Sequence, residues 1–136
     1  MKKYLLIIAL FSFALAGCSI SGTEEVTGSG YENISVETLE TMLDERQDTF
    51  LLVNTHIPFE GNIPDTDLSI PYNEITDNLN KLPGDKNAEI ILYCRSDSMS
   101  TAAAADLVRE GYTNVKNLIG GFNAWKAAGL PLEMEQ

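Results

Sequence analysis

Residues 90–101 have the sequence IILYCRSDSMST, and they run directly into the alanine-rich segment 102–109. The apolar run at 90–93 has the length and composition of a strand buried in a sheet. A short polar loop follows Cys94, and the alanines after it predict a helix. An anion at the end of the strand would be stabilised by the N–H groups of the loop and by the positive end of the helix dipole. Such a setting favours the reactive thiolate form of a cysteine.

Strand and helix patterns alternate on both sides of this stretch. Ile34 ends a short first strand, and the apolar runs at 50–53 and 115–119 predict two further buried strands. The predicted helices are one capped by Ser35, one between Pro71 and Pro83-Gly84, one from about Ser98 to Glu110, and one opened by Gly120-Gly121 and ended by Gly129. Residues 54–69 are expected to form a long, turn-rich connection. This order predicts a single α/β domain with a mostly parallel central sheet and helices on both faces.

The N-terminus has the organisation of an export signal. Residues 1–3 are basic, residues 4–14 are apolar but too short to span a bilayer comfortably, and LAGC at 15–18 ends with small residues and a cysteine. This pattern resembles a bacterial lipobox, in which Cys18 becomes the lipidated first residue. We expect a signal peptide at 1–17, lipidated Cys18 with a flexible tether through residue 30, and an exported, lipid-anchored domain at 31–136. The alternative is an uncleaved signal anchor with an incidental cysteine.

Charge and residue counts narrow the classes of function. The formal net charge is −11, and removal of residues 1–17 takes away Lys2 and Lys3 but no acidic residue, which gives −13. A field of that sign opposes nucleic acid, so we expect no nucleic-acid partner. With Cys18 blocked by lipid, Cys94 is the only free thiol of the mature chain, and one thiol with one imidazole falls short of a metal site. We therefore expect no metal and no cofactor.

Three segments resemble the rhodanese (sulfurtransferase) family over residues 31–133. They are LVNTHIPFEGNIP at 52–64, YCRSDSMS at 93–100, and GYTNV with GGFNAWKAAGLP at 111–115 and 120–131. The third segment is the closest match and is mainly structural. The first has Asn54, His56 and Asn62 where the family commonly has Asp, Arg and His. The second has Asp97 in place of a glycine and Met99 in place of an arginine.

The resemblance implies a thiosulfate:acceptor type of sulfurtransferase or a persulfide carrier. Cys94 would attack a small sulfur-donor anion, hold the outer sulfur as a persulfide, and pass it to a thiol or a cyanide-like acceptor. The binding loop would comprise Arg95, Ser96, Asp97, Ser98, Met99 and Ser100, whose N–H groups face the bound anion. His56, the only histidine, follows a strand to the same edge of the sheet as Cys94, and it could supply a titratable cation. A single histidine is more often a hydrogen-bonded structural side chain than a catalytic one, so we favour a structural role for His56.

Several alternatives stay open. Phosphatases of this fold place an arginine six residues after the cysteine, and Ser100 occupies that position, so phosphoryl transfer is disfavoured. The departures at Asp97 and Met99 favour a second class, a weak or inactive module that binds a protein partner or a small anion. Asp97 either adds a like charge near the thiolate or caps the helix.

Three further residues are expected to have structural roles. Glu60 is expected to make a structural hydrogen bond or ion pair, and Phe122 and Trp125 are expected to pack in the core.

Overall fold

A computed structural model describes Gly28 and residues 30–46 and 49–135. Five strands form one sheet: β1 (Glu32–Ile34), β2 (Phe50–Asn54), β3 (Leu68–Ser69), β4 (Glu89–Tyr93) and β5 (Val115–Leu118). Their spatial order is β1-β5-β4-β2-β3, and all four neighbouring pairs are parallel. The α-helices are α1 (Val36–Asp44), α2 (Ser98–Arg109) and α3 (Gly121–Ala127). The predicted α/β class with a parallel sheet is confirmed.

The two faces of the sheet carry separate apolar cores because successive strand residues point in opposite directions. In β4, Ile90 and Leu92 pack on the face covered by α2, whereas Ile91 and Tyr93 pack on the face covered by α1 and α3. Helices therefore lie on both faces, as predicted. Ser35 caps α1 by accepting a hydrogen bond from the N–H of Thr38 at 3.2 Å, which confirms the expected cap.

The helix predicted after Pro71 is wrong in type. Two 3₁₀ segments, Tyr72–Glu74 and Thr76–Lys81, take its place. Within the second, Asn78 leaves helical geometry, and its side-chain amide donates to the carbonyl of Glu74 at 2.8 Å. An asparagine side chain that bonds the backbone competes with helical hydrogen bonds, which favours the shorter segments. Ile75 is still buried, so the apolar face was predicted correctly.

The connection at 54–69 contains a strand that the sequence pattern does not reveal. Only two residues of β3 pair with β2, and two residues carry no periodic signal. Asp67, the residue before β3, is fixed by its side chain. Its carboxylate accepts a hydrogen bond from the N–H of Leu52 at 2.7 Å and forms an ion pair with Arg46 at 2.6 Å. The strand thus depends on contacts between residues far apart in sequence.

The register of β2 and β4 brings two loops together. Asn54 pairs with Tyr93 at the carboxyl ends of the two strands. Just beyond, Thr55 donates to the carbonyl of Tyr93 from both its N–H, at 2.8 Å, and its hydroxyl, at 2.9 Å. The residues that follow, His56 and Cys94, therefore begin adjacent loops at one edge of the sheet.

The predicted signal peptide at 1–17, the lipidated Cys18 and most of the tether to residue 30 lie outside the described residues. Within the described part of the chain, none of the helices combines the length and the apolar character that a membrane crossing requires.

Candidate active site

Cys94 lies directly after β4 and is 1 % exposed. A cavity of about 40 Å³ adjoins it. The residues that line this cavity come from the loops after β2 and β4 and are His56, Cys94, Arg95, Ser96, Ser98 and Met99. Of the loop residues predicted to bind substrate, Asp97 and Ser100 are not in the cavity wall. Part of the predicted binding loop therefore lines the cavity beside Cys94, and its role in binding stays a prediction.

Backbone hydrogen bonds join the first turn of α3 to the start of the cysteine loop. The carbonyl of Cys94 accepts from the N–H of Phe122 at 2.9 Å, and the carbonyl of Arg95 accepts from the N–H of Asn123 at 3.0 Å. Gly121 makes this approach possible, since it has φ +52° and a Cβ there would collide with the carbonyl of Cys94. Phe122 and Trp125, the predicted packing residues, are 1 % and 4 % exposed. The glycine pair is thus a support for the cysteine as well as the start of a helix.

Asp97 occupies the N-cap position of α2, but its side chain does not cap the helix. Its carboxylate accepts instead from the N–H of Gly120 at 3.0 Å and from the amide of Asn117 at 3.4 Å. Of the two roles left open for Asp97, helix capping is absent, because these donors, which come from β5 and the turn after it, take the carboxylate. Asp97 has φ −157° and ψ −37°, and a negative φ does not require glycine.

Ser100 connects the cysteine to this polar network. Its hydroxyl lies 3.4 Å from Sγ of Cys94 and 2.7 Å from the side-chain oxygen of Asn117. Ser100 is fully buried. A hydroxyl has one proton, so Ser100 donates to Asn117 while accepting from a thiol, or it turns that proton to the sulfur when the sulfur is an anion. Ser100 can therefore serve either protonation state of Cys94.

His56 lines the same cavity as Cys94, with a side chain that is 4 % exposed. Its Nε2 lies 2.7 Å from a carboxylate oxygen of Glu60, and the same oxygen lies 3.7 Å from a guanidinium nitrogen of Arg95. The edge of the ring meets Phe122 at a centroid distance of 5.3 Å. Nδ1 is buried and has no hydrogen-bond partner among the described residues. The expected bonding of Glu60 is present, and His56 retains one nitrogen for other use.

The unusual asparagines of the first family-like segment have structural partners. The amide of Asn54 donates to the side-chain oxygen of Asn62 at 2.9 Å and to the carbonyl of Gly61 at 3.0 Å. Tyr93 lies beneath this turn, where its hydroxyl accepts from the N–H of Ile63 at 3.0 Å. Burial raises the pKa of Tyr93 to about 12, so the phenol stays neutral. These residues shape the loop that carries His56.

Sequence reasoning missed two partners of the cysteine loop, Asn117 and Gly120. Asn117 is 1 % exposed in β5, between Lys116 and Leu118, and an asparagine near the carboxyl end of a predicted strand was the available signal. In the part of the chain that the structure covers, no three His, Cys, Asp or Glu side chains are grouped so as to hold a metal ion.

Comparison with known proteins agrees with this geometry. A sulfurtransferase of Allochromatium vinosum is 38% identical over 73% of this chain and 92% of its own. Thiosulfate sulfurtransferase 16 of Arabidopsis thaliana is 45% identical over 42 residues, which are 31% of this chain and 35% of that protein. A rhodanese-related protein of Thermoplasma volcanium superposes with a TM-score of 0.65 at 23% identity, over 77% of this chain and 100% of that one.

The relatives named sulfurtransferase support a sulfurtransferase-type function. The family model for the rhodanese-like domain matches residues 31–128, which include both loops of the cavity. This chain belongs to the rhodanese-like domain family.

Proposed function

We propose that this chain is a sulfurtransferase or persulfide carrier that moves a sulfane sulfur through a covalent persulfide on Cys94. The observation that carries the proposal is the position of Cys94, whose sulfur lies 3.4 Å from the Ser100 hydroxyl and whose side chain adjoins a cavity made by its own loop. The named relatives support the class of reaction.

The size of the cavity indicates which part of the donor enters it. A water needs roughly 10–15 Å³ of such space, so about 40 Å³ holds only a few atoms. That volume suits the transferred sulfur, with the rest of the donor at the mouth. The side chain of Arg95, which is 57 % exposed, offers a cation there.

The reaction proceeds in two displacements. The thiolate of Cys94 attacks the outer sulfur of the donor, a new S–S bond forms, and the donor's own bond to that sulfur breaks with its electron pair on the leaving group. With thiosulfate the leaving group is sulfite. An acceptor nucleophile then attacks the outer sulfur of the persulfide and releases Cys94 as a thiolate. The N–H groups at the start of α2, which have no helical partner, stabilise both anions.

A weak or inactive module that binds a protein partner or a small anion is the second candidate. It is favoured by the near-complete burial of Cys94 and by Met99, which lines the cavity without contributing a cation. Thiol reactivity separates the two candidates. A catalytic Cys94 alkylates rapidly at neutral pH, whereas an inert one resists until the chain unfolds.

The test uses the full chain with Cys18→Ser, so that Cys94 is the only thiol, beside a matched chain that also carries Cys94→Ser. Each is incubated with thiosulfate, its intact mass is recorded, and cyanide is then added with an assay for thiocyanate. We expect the mass of one added sulfur on the chain with Cys94 alone, and its loss with cyanide.

The other outcomes divide the candidates. A persulfide that cyanide does not discharge indicates a carrier with a specific acceptor. If no sulfur is added and Cys94 also alkylates slowly, the enzyme is refuted and the binding module is supported. If no sulfur is added but alkylation is fast, thiosulfate is the wrong donor.

We further propose that the domain is exported and held at the cell membrane or outer membrane by lipid on Cys18. The support is the order of basic residues, apolar run and small residues before Cys18 in the sequence. Labelled fatty acid should be incorporated into the full chain in a bacterial host and not into its Cys18→Ser variant. Equal labelling of the two chains would contradict the proposal.

A further inference from the structure

We propose that His56 and Glu60 form an acid–base unit with Cys94, in which Nδ1 of His56 takes the thiol proton and the imidazolium then faces the sulfur anion. The inference deepens the proposed function and rests on it for the identity of the reaction. It changes the role of His56 from the structural one that the sequence favours to a catalytic one.

Burial gives the first step. The side chain of His56 is 4 % exposed, yet only one of its two ring nitrogens is bonded. Buried polar atoms are nearly always hydrogen-bonded, and one left without a partner costs about 1–3 kcal/mol. A purely structural histidine would have both nitrogens satisfied. The unsatisfied Nδ1 therefore points to a partner that arrives with ligand or with a change of protonation.

The contact with Glu60 fixes the tautomer. Nε2 lies 2.7 Å from the carboxylate of Glu60, and a carboxylate accepts hydrogen bonds, so Nε2 carries a proton. In neutral His56 the remaining nitrogen, Nδ1, then has a free lone pair and acts as a base. A carboxylate that orients an imidazole toward a nucleophile is the arrangement that activates serine and cysteine in many enzymes.

The shared cavity supplies the nucleophile. His56 and Cys94 line the same space of about 40 Å³, at the ends of neighbouring strands. No other described histidine, cysteine or carboxylate lines it. Nδ1 and the thiol make no direct hydrogen bond, and the cavity has room for a water, so the thiol proton reaches Nδ1 through one bridging water. The transfer leaves a thiolate and an imidazolium in the same small cavity.

The step balances in protons and electrons. The Cys94 S–H bond breaks with its electron pair on sulfur, and the proton forms an N–H bond at Nδ1. The thiolate then displaces the leaving group of the donor, and the persulfide anion keeps the same imidazolium as its counter-ion. The sulfur of an acceptor thiol then attacks the outer sulfur of the persulfide, and the S–S bond to Cys94 breaks with its electron pair on the Cys94 sulfur. The acceptor's proton leaves with the new persulfide, the His56 proton returns to Cys94, and both residues regain their neutral forms.

Three charged or titratable groups surround the ring. Glu60 comes from the loop after β2 and favours the imidazolium, and Cys94 as thiolate does the same from the loop after β4. Arg95, from that second loop, lies 3.7 Å from the Glu60 carboxylate and reduces its effect. The face supplied by α3 is Phe122, which carries no charge and keeps water from the ring. His56 also lines a second cavity of about 190 Å³, to which the segment before the 3₁₀ turns contributes the uncharged residues Ser69, Ile70 and Pro71.

The first test follows protons directly. The chain has a single histidine, so the imidazole signals of an NMR titration belong to His56 without assignment. In the Cys18→Ser background, we expect the imidazolium to lose its proton at lower pH when Cys94→Ser or Glu60→Gln is introduced, since each change removes an anion that stabilises it. Glu110→Gln, at the exposed end of α2, is the matched control and should leave the titration unchanged.

The second test measures alkylation of Cys94 by iodoacetamide between about pH 5 and pH 9. At about pH 6 we expect His56→Gln and Glu60→Gln to react at least about tenfold more slowly than the parent, with the difference closing toward about pH 9, where the thiol ionises unaided. A structural defect would instead expose Cys94 and raise the rate at every pH. If His56→Gln does not fold, Glu60→Gln and the NMR comparison decide alone.

The outcomes separate this inference from the proposed function. An imidazole titration that ignores Cys94→Ser, together with parallel alkylation profiles, would overturn the acid–base unit even if the persulfide forms. Coupled titration without any persulfide would support the unit and count against sulfur transfer from thiosulfate. Both positive results would make His56 a catalytic residue of a sulfurtransferase.

Discussion

Asp97 stabilises the cysteine loop through a contact that replacement by the family's glycine would remove. Its carboxylate accepts from the N–H of Gly120 at 3.0 Å, while the amide of Asn117 is farther away, at 3.4 Å. A hydrogen bond to a charged acceptor contributes about 1.5–3 kcal/mol, and a new glycine in an ordered position costs about 0.5–1 kcal/mol. We therefore expect Asp97→Gly to lower the free energy of unfolding by about 2–4 kcal/mol, even though glycine is the commoner residue in the family.

Urea denaturation measures this loss. With a slope of about 2 kcal/mol per molar urea, the expected loss moves the midpoint down by about 1–2 M. Asp97→Asn keeps an acceptor oxygen and should lose only about 1 kcal/mol. Asp77→Gly, at an exposed position of the second 3₁₀ segment, is the control for the effect of glycine alone. The reasoning would be refuted if Asp97→Gly unfolded at the same urea concentration as Asp77→Gly, or at a higher one.

Two further predictions concern the supports of the two loops. Because burial raises the pKa of Tyr93 to about 12, the unfolded chain loses the phenol proton first, and about 2–3 kcal/mol of stability should disappear as pH rises from about 10 to 12. Tyr93→Phe should abolish that alkaline loss and cost about 1–3 kcal/mol at neutral pH, since the N–H of Ile63 loses its acceptor; denaturation at about pH 8 and pH 11 checks both. Gly121→Ala should destabilise by more than about 3 kcal/mol through collision with the carbonyl of Cys94, whereas Gly84→Ala, which meets open space, should be near neutral; a well-folded Gly121→Ala chain would contradict this.

The fold could be predicted because its signals repeat along the chain. The apolar run of β4, the cap at Ser35 and the stop at Gly111 each mark one element, and the alternation of strands with helices along the chain favours a parallel sheet. The errors fall where the structure depends on single contacts. The 3₁₀ segments and β3 rest on the side chains of Asn78 and Asp67, which leave no periodic pattern.

The site was predicted less completely than the fold, for a related reason. The loop from Cys94 to Ser100 is contiguous, so its position follows from the strand before it and the helix after it. The direction of the Asp97 side chain does not, because the N–H that binds it belongs to Gly120, 23 residues later. His56 posed the same problem. Only the three-dimensional arrangement distinguishes a histidine with two partners from one with a buried free nitrogen.

The net charge of −11 bears on how a donor reaches the site. A field of that sign opposes an anion at long range, so attraction must be local. Among the described residues that line the cavity, Arg95 is the exposed cation, and it is paired with Glu60, which is also the partner of His56. A donor anion that draws Arg95 away from Glu60 would leave that carboxylate wholly to the imidazole. Glu60 would then stabilise the His56 imidazolium beside Cys94 more strongly. Binding of the donor at the mouth would in this way help to activate the sulfur of Cys94.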